Sequence, residues 1–313
     1  MAADEVLTIG RIGVDLYPEQ VGVPLREVRT FARFLGGSPA NVAVAAARYG
    51  RRSAIITRTG KDPFGDFLHD ALRGFGVSDR FVTAVAALPT PITFCEIFPP
   101  DDFPLLFYRY PKAPDLEIGS GELDLAAIRA AGVFWMTGTG LSQEPSRTAT
   151  LHALQARAKA GMTVFDLDYR PMFWPSRAEA HRQYARALPH ATIAVGNLDE
   201  CETATGTRDP AEAIAALHAA GVDLAVVKQG PDGVAASRRS TNESVRVLPV
   251  PVTVLNGLGA GDAFGGALCH GLLSGWDLET IMRFANVAGA LVASRLSCAD
   301  AMPTEDEVRA LLT

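Results

Sequence analysis

The feature that most limits what this chain can fold into is the rhythm of its second half. From Leu123 onward, apolar runs of strand length alternate with helix-like segments: Val133–Thr137, a helix after Pro145, Met162–Asp166, a helix near Ala178–Leu188, Thr192–Val195 and Asp223–Lys228. A strand that follows a helix returns to the same end of the sheet and pairs parallel to its predecessor. The rhythm predicts a mainly parallel sheet with helices on both faces. Ligands of such sheets lie beyond the carboxyl ends of the strands. Polar residues gather at three of these exits in succession: Asp166-Leu167-Asp168-Tyr169-Arg170, Asn197-Leu198-Asp199-Glu200, and Lys228-Gln229-Gly230-Pro231-Asp232-Gly233. Each alone reads equally well as loop chemistry. Three in a row favour one shared site.

A glycine turn at Asn256–Gly275 faces the same edge. It reads Asn256-Gly257-Leu258-Gly259-Ala260-Gly261-Asp262, then Ala263, Ala267 and Gly271 at helical spacing. Glycines let the backbone turn tightly and approach a ligand. The free N–H groups of the helix's first turn, with its dipole, favour an anion there, most simply a phosphate. Asp262 beside an anion is ionised and repulsive unless it has a task, such as taking a proton from a hydroxyl that attacks phosphorus. The competing reading is a helix cap. Two familiar nucleotide motifs do not fit. The sixth place of a G-x-G-x-x-G started at Gly257 is Asp262, and no Gly-Lys-Ser/Thr triplet occurs.

The first half carries a second glycine turn, Gly36-Gly37-Ser38-Pro39-Ala40-Asn41, leading into a small-residue helix with Val42, Ala43, Ala46 and Ala47. Asn41 suits either an N-cap or two-way hydrogen bonding to sugar hydroxyls. Asp15 follows the first β-type run, Val6–Ile9, near Gly10 and Gly13, as a turn residue or a ligand contact. Ser53–Thr57 reads as a strand and Pro63–Phe75 as a helix. Ile92–Phe98 and Leu105–Tyr110, joined by Pro99–Asp102, read as a hairpin outside the main layer, a lid. Arg109 falls inside its second strand, as a solvated edge charge or a grip on an anionic substrate. Helices through Asn286 and Leu291 and from Glu305 to Leu312 close the chain.

Composition narrows the partners. The 313 residues are 48% hydrophobic with a net charge of −6 and no Lys/Arg block, which argues against nucleic acid or an anionic membrane. No run approaches a membrane span. The start, Met1-Ala2-Ala3-Asp4-Glu5, lacks the apolar core of a signal peptide. Cys95, Cys201, Cys269 and Cys298 have no metal-ligand spacing, as expected of reduced thiols in a cytoplasmic protein.

With these residues in view, the chain resembles the ribokinase/phosphofructokinase-B family of carbohydrate kinases over nearly its whole length. Gly36-Gly37-x-x-x-Asn41, with Gly50 and Gly60 behind it, resembles the family's first signature, Gly259-Ala260-Gly261-Asp262 its second, and Asn197-x-x-Glu200 its metal–phosphate motif. The resemblance implies one ribokinase-like domain over 1–313, a doubly wound, mostly parallel α/β sheet with a small β-sheet lid from about 11–35 and 90–112. It implies ATP and Mg²⁺, and a homodimer joined through the lid. Asp262 would be the base, with Gly259, Ala260 and Gly261 as the anion hole. Asp15, Gly36, Gly37 and Asn41 would hold substrate hydroxyls. Asn197, Lys228, Gly230 and Asn286 would line the ATP site, and Glu200 would hold Mg²⁺ through water.

One departure concerns K⁺. Several members carry an Asp that helps seat this ion two residues before Leu258, where this chain has Asn256 followed by Gly257. Within the family, Phe165–Pro171, Phe98–Pro104 and Ser294–Pro303 resemble most the inositol-catabolism branch, which phosphorylates the terminal hydroxyl of a keto-deoxy sugar acid; the 2-keto-3-deoxygluconate branch is similar in the lid and at Arg170. Either substrate carries a carboxylate, and Arg109 and Arg170 suit it because guanidinium binds carboxylate bidentately. The rivals are a kinase for a neutral sugar or nucleoside, which needs no paired arginines, and a sugar- or nucleotide-binding sensor on a kinase fold, which needs no Asp262.

Overall fold

The computed structural model describes residues 3–312; Met1 and Ala2 of the acidic start lie outside them. The chain opens with β1 (Val6–Ile9), then β2 (Gly13–Pro18), β3 (Phe31–Gly36), α1 (Ser38–Arg48) and β4 (Ser53–Gly60). Next come α2 (Pro63–Gly74), β5 (Val77–Ser78), β6 (Val82–Val85), β7 (Ile92–Cys95) and β8 (Leu105–Tyr108). The alternating half is α3 (Leu125–Ala130), β9 (Val133–Thr137), α4 (Ser146–Arg157), β10 (Met162–Asp166), α5 (Arg177–Ala187), β11 (Ile193–Asn197), α6 (Leu198–Thr205), α7 (Pro210–Ala219) and β12 (Leu224–Lys228). A hairpin, β13 (Val234–Arg238) and β14 (Glu243–Val247), precedes α8 (Ala260–Leu273), α9 (Leu278–Ala293) and α10 (Glu305–Arg309).

The main sheet has the order β14-β13-β12-β11-β10-β9-β1-β4-β5, with β6 also on β4. It is parallel from β12 to β5, and β13 and β14 close one edge antiparallel. All five residues of β9 are buried, because helices cover both faces. Successive side chains then serve two cores. Trp135, Val164 and Val226 pack with α1, α8 and α9, while Phe134, Phe165 and Val227 pack with α4, α5 and α7. Register aligns the exits: Thr137 pairs with Asp166, and Asn197 with Lys228.

A second sheet, β3-β2-β7-β8, stands apart from the first. Among the described residues no helix is long and apolar enough to cross a membrane.

Several boundaries differ from the sequence reading. The strand expected over Thr192–Val195 runs on to Asn197, because pairing with β12 continues that far. The expected strand Ser53–Thr57 continues to Gly60, where β6 pairs with it. The lid strands stop at Cys95 and Tyr108, and only an isolated bridge, Phe98 to Asp102, extends the hairpin. Arg109 therefore stands just past β8 rather than inside it. Asp15 lies within β2, opposite Phe34 and beside Thr93, not at a strand end.

Candidate active site

A cleft separates the small sheet from the strand exits of the large one. Gly259, at φ +83°, makes the left-handed turn that starts α8, and a Cβ there would stand 2.6 Å from Cys298 Sγ. No side chain caps this helix start. The N–H groups of Ala260, Gly261 and Asp262 belong to its first turn and have no carbonyl four residues back within the helix. Asp262 is the third helical residue and turns away from capping: its Oδ2 accepts from Asn41 Nδ2 at 2.8 Å. Burial raises its pKa, and hydrogen bonds from Asn41 and Ser38 oppose the shift only in part.

Asn41 is not the cap of α1; Gly37 is. Asn41 is buried inside the helix and lines the cleft, and its Oδ1 is a buried acceptor without a partner among the described residues. A substrate hydroxyl would satisfy it. Asp15 faces the same space from β2. Gly36, on the neighbouring strand, leaves room for it: a Cβ there would meet the Asp15 carboxylate oxygens at 2.2 Å. Tyr17 donates to Asp15 Oδ2 at 3.1 Å, and Cys298 Sγ lies 2.7 Å from the same hydroxyl. Burial pushes the Asp15 carboxyl up to about 7.

Guanidinium groups line the same cleft. Arg109 donates through Nη2 to both Asp115 oxygens, at 2.9 and 2.7 Å. Burial lowers its pKa, and Asp115 opposes this. Arg170 contacts Asp168 Oδ1 at 3.1 Å and Glu200 Oε1 at 3.5 Å. Both arginines expected to grip the substrate carboxylate pair with carboxylates of the chain itself. Asp168 is buried, which works against its ionisation, but Arg170 and Arg11 outweigh burial and hold its pKa below the usual carboxylate range.

At the far end, Asn197 and Glu200 form a capping box on α6: Glu200 N donates to Asn197 Oδ1 at 2.9 Å, and Asn197 N to Glu200 Oε2 at 2.7 Å. Lys228 reaches the helix start, for a Cβ on Gly261 would lie 3.3 Å from Lys228 Nζ. Burial works against its charge, but Glu200, Asp166 and Asp262 more than compensate and raise its pKa. Of the residues expected at the site, Gly36, Asn197, Glu200, Lys228, Gly230, Ala260, Gly261 and Asn286 are not among those lining the cleft. Gly230 makes the turn after β12 at φ +57°, and Asn286 Nδ2 donates to Leu248 O at 3.1 Å. Asn256 is fully buried. Its Oδ1 accepts from Leu258 N at 3.1 Å, so its Nδ2 is the atom that donates to Leu296 O at 2.7 Å.

Sequence reasoning overlooked Arg11, Tyr17, Thr139 and Cys298. Arg11 had a signal: a charge two residues past the apolar strand β1, at the sheet edge where three other exits drew notice. Tyr17, Thr139 and Cys298 carried none, since each enters through tertiary packing.

The chain matches the pfkB family of carbohydrate kinases over residues 3–305. It is 35% identical to a 5-dehydro-2-deoxygluconokinase of Shouchella clausii (strain KSM-K16), over 98% of this chain and 95% of that one. In structure it is similar to a fructokinase of Xylella fastidiosa with bound ATP, at 26% identity and a TM-score of 0.85 over 99% of this chain and 98% of that one. It is also similar to a fructokinase double mutant of Vibrio cholerae O395 in a fructose, ADP and potassium ion bound form, at 26% identity and a TM-score of 0.84 over the full length of both. The open helix start with its single carboxylate, the exits of a parallel sheet facing it and the match over nearly the whole length agree, and the chain belongs to the pfkB family of carbohydrate kinases.

Proposed function

We propose that this chain is an ATP-dependent sugar-acid kinase that transfers the γ-phosphoryl group to the terminal hydroxyl of 5-dehydro-2-deoxy-D-gluconate. One observation carries the reading: a carboxylate, Asp262, at a helix start without a side-chain cap lines one cleft together with three guanidinium groups, those of Arg11, Arg109 and Arg170. The first feature suits phosphoryl transfer to a hydroxyl, and the second suits an acceptor that carries a negative charge. The 35% identity to a relative of that name supports the same substrate.

In this reading Asp262 accepts the proton of the attacking hydroxyl. Its raised pKa brings it closer to the operating pH, which favours a general base. Positioned proton transfer contributes roughly 10²–10⁴-fold, so positioning and charge stabilisation must supply the rest. The N–H groups of Gly259, Ala260 and Gly261 face the charge on the transferring group, and Lys228 adds a cation beside them. Asp15, Gly37 and Asn41 hold substrate hydroxyls, with Gly36 leaving room for Asp15. Asn197, Gly230 and Asn286 serve the nucleotide side.

Among the described residues no three His, Cys, Asp or Glu groups converge as a metal cage. That suits Mg²⁺, which keeps waters and binds chiefly to phosphate oxygens. Glu200, through water, is the residue that would hold it: its Oε2 is spent on the α6 cap, and its Oε1, which lies 3.5 Å from Arg170, is the oxygen that would face the ion's water. The ion supplies charge neutralisation on the phosphates when bound. A monovalent cation does not fit: Asn256 presents a neutral amide, and its NH₂ already occupies the Leu296 carbonyl. No step in this reading passes through K⁺. The functional unit is a homodimer joined through the outer face of the small sheet, in the cytoplasm.

An ATP-consumption panel tests the assignment, using 5-dehydro-2-deoxy-D-gluconate, 2-keto-3-deoxygluconate, fructose, ribose and a blank without sugar. The first substrate should give the highest kcat/KM, by tenfold or more over the neutral sugars. Equal efficiency on fructose or ribose would replace this reading with a neutral-sugar kinase. ATP binding without turnover on any sugar would favour a sensor.

A further inference from the structure

Arg11 stands where the chain leaves the large sheet after β1 and enters the small sheet at β2. It is 6% exposed and lines the cleft with Asp15, Asn41 and Asp262. Its Nε donates to Thr139 Oγ1 at 3.1 Å and its Nη2 to Asp168 Oδ2 at 3.1 Å. Thr139 Oγ1 donates to the same Asp168 oxygen at 2.9 Å, so the three groups form a closed ring of contacts. The rings of Phe107 and Phe173 lie 5.9 and 5.6 Å from the guanidinium carbon. Among the described residues Arg11 Nη1 makes no hydrogen bond.

The other two arginines are differently placed. Arg109 is clasped by both oxygens of Asp115. Arg170 leans on Glu200, on the side of the cleft that holds Lys228 and the helix start. Asp168 joins the two sides: Oδ2 holds Arg11, and Oδ1 contacts Arg170. A guanidinium held by both donors of its side edge, Nε and Nη2, with its Nη1 end open is already oriented for a planar anion and loses little freedom on binding it.

We propose, on the sugar-acid reading above, that Arg11 is a specificity-determining residue whose open Nη1 edge receives the substrate carboxylate, with Asp168 as the positioning residue that holds Arg11 and Arg170 in register. Arg11 then sets the preference for acid over neutral sugar, and Arg170 serves the phosphoryl end. Asp168 links substrate recognition to the chemistry without touching the substrate.

The test uses the full-length enzyme and the variants Arg11→Gln, Arg11→Lys, Arg109→Ala and Asp168→Asn. KM and kcat are measured for the sugar acid, for the neutral analogue with a hydroxymethyl in place of the carboxylate, and for ATP. Binding of the acid is followed separately by calorimetry with a non-hydrolysable ATP analogue. Arg11→Gln should weaken acid binding and raise its KM by about 10- to 100-fold, the span of one charge-assisted hydrogen bond. The KM of the neutral analogue and of ATP should stay within about twofold, so the acid preference collapses. Arg11→Lys keeps the charge and loses the fork, and should fall between; it also serves if Arg11→Gln fails to fold. Asp168→Asn should raise the acid KM and lower kcat together, whereas Arg109→Ala should change the acid preference less than Arg11→Gln. A wild-type acid preference that survives in both Arg11 variants overturns the proposal and leaves the sugar-acid reading standing. A wild type without acid preference overturns both, and that is seen before any variant is made.

Discussion

Two carboxylates face the cleft, and burial raises the pKa of each. Asp15 has the clearer consequence, because its carboxyl is pushed up to about 7. On the proposed reading, above that pH it is ionised and accepts hydrogen bonds from substrate hydroxyls; below it the proton blocks one acceptor. kcat/KM for the sugar should therefore fall on the acid side with an apparent pKa near 7, while KM for ATP moves little. Asp15→Asn should flatten that limb and lower kcat/KM across the range; a limb unchanged in the variant would assign it elsewhere. The stability sign is opposite. A carboxyl whose folded pKa lies above its unfolded value of 3.8 contributes stability at low pH that is lost as pH rises through about 7. Asp15→Asn should thus melt no lower than wild type at pH 8, as expected where function holds a charge in a costly place. Asp262→Asn offers the contrast. It should fold, bind ATP and lose at least ~10²-fold in kcat, the lower end for a positioned base. Retention of more than a tenth of the turnover would remove Asp262 from that role.

At the scale of elements, what the sequence disclosed follows burial. Strands β9 to β12 were legible because both faces are covered and their residues run mostly apolar up to a polar last residue. Strand β14 was not: it alternates half-buried and exposed residues over Glu243-Ser244-Val245-Arg246 and reads like a polar loop. The site followed the same logic. Asn197 and Glu200 were visible as a spaced pair, and that spacing is also a capping box, so the helix start and the proposed metal contact use one signal. Arg11 stood at a legible strand exit, but its partners Thr139 and Asp168, 128 and 157 residues away, did not show in the sequence. The loop before α8 is a further case. Asn256 ties it to the segment after α9 through Leu296 O, and its backbone N–H reaches Ala293 O at 3.1 Å. A neutral amide that donates to the Leu296 carbonyl leaves that oxygen less available to a cation. Turnover should therefore be equal, within about twofold, in K⁺, Na⁺ and tetramethylammonium buffers at matched ionic strength. Asn256→Asp removes the donor and adds a charge, and it should lower activity in tetramethylammonium and recover in K⁺. Severalfold activation of the wild type by K⁺ would show that the amide does not take the ion's place.

The whole molecule raises the question of what covers the small sheet. Strand β8 is its edge, and the strand has two kinds of residue. Leu105 and Phe107 point to the cleft and line it. Leu106 and Tyr108 alternate with them and are 49% and 56% exposed, and Tyr110 beyond the strand is 82% exposed. An apolar edge strand left open invites pairing with another chain, and large apolar side chains grouped on a surface mark an interaction site. A second copy covering this face would also steady Leu105 and Phe107 on its other side, and Arg109 beside them, so assembly and substrate binding would be linked. The mass in solution should be about 66 kDa by light scattering, twice the 33.2 kDa of one chain. Leu106→Glu with Tyr108→Glu places charges on the covered face and should give a monomer. Its KM for the sugar acid should rise by about tenfold, with KM for ATP changing less, because the residues proposed for the nucleotide, Asn197, Lys228, Gly230 and Asn286, lie at the exits of β11 and β12 and on α9, away from the small sheet. A fully active wild type that remains a single chain at micromolar concentration would leave the face to another partner and remove the link between assembly and the site.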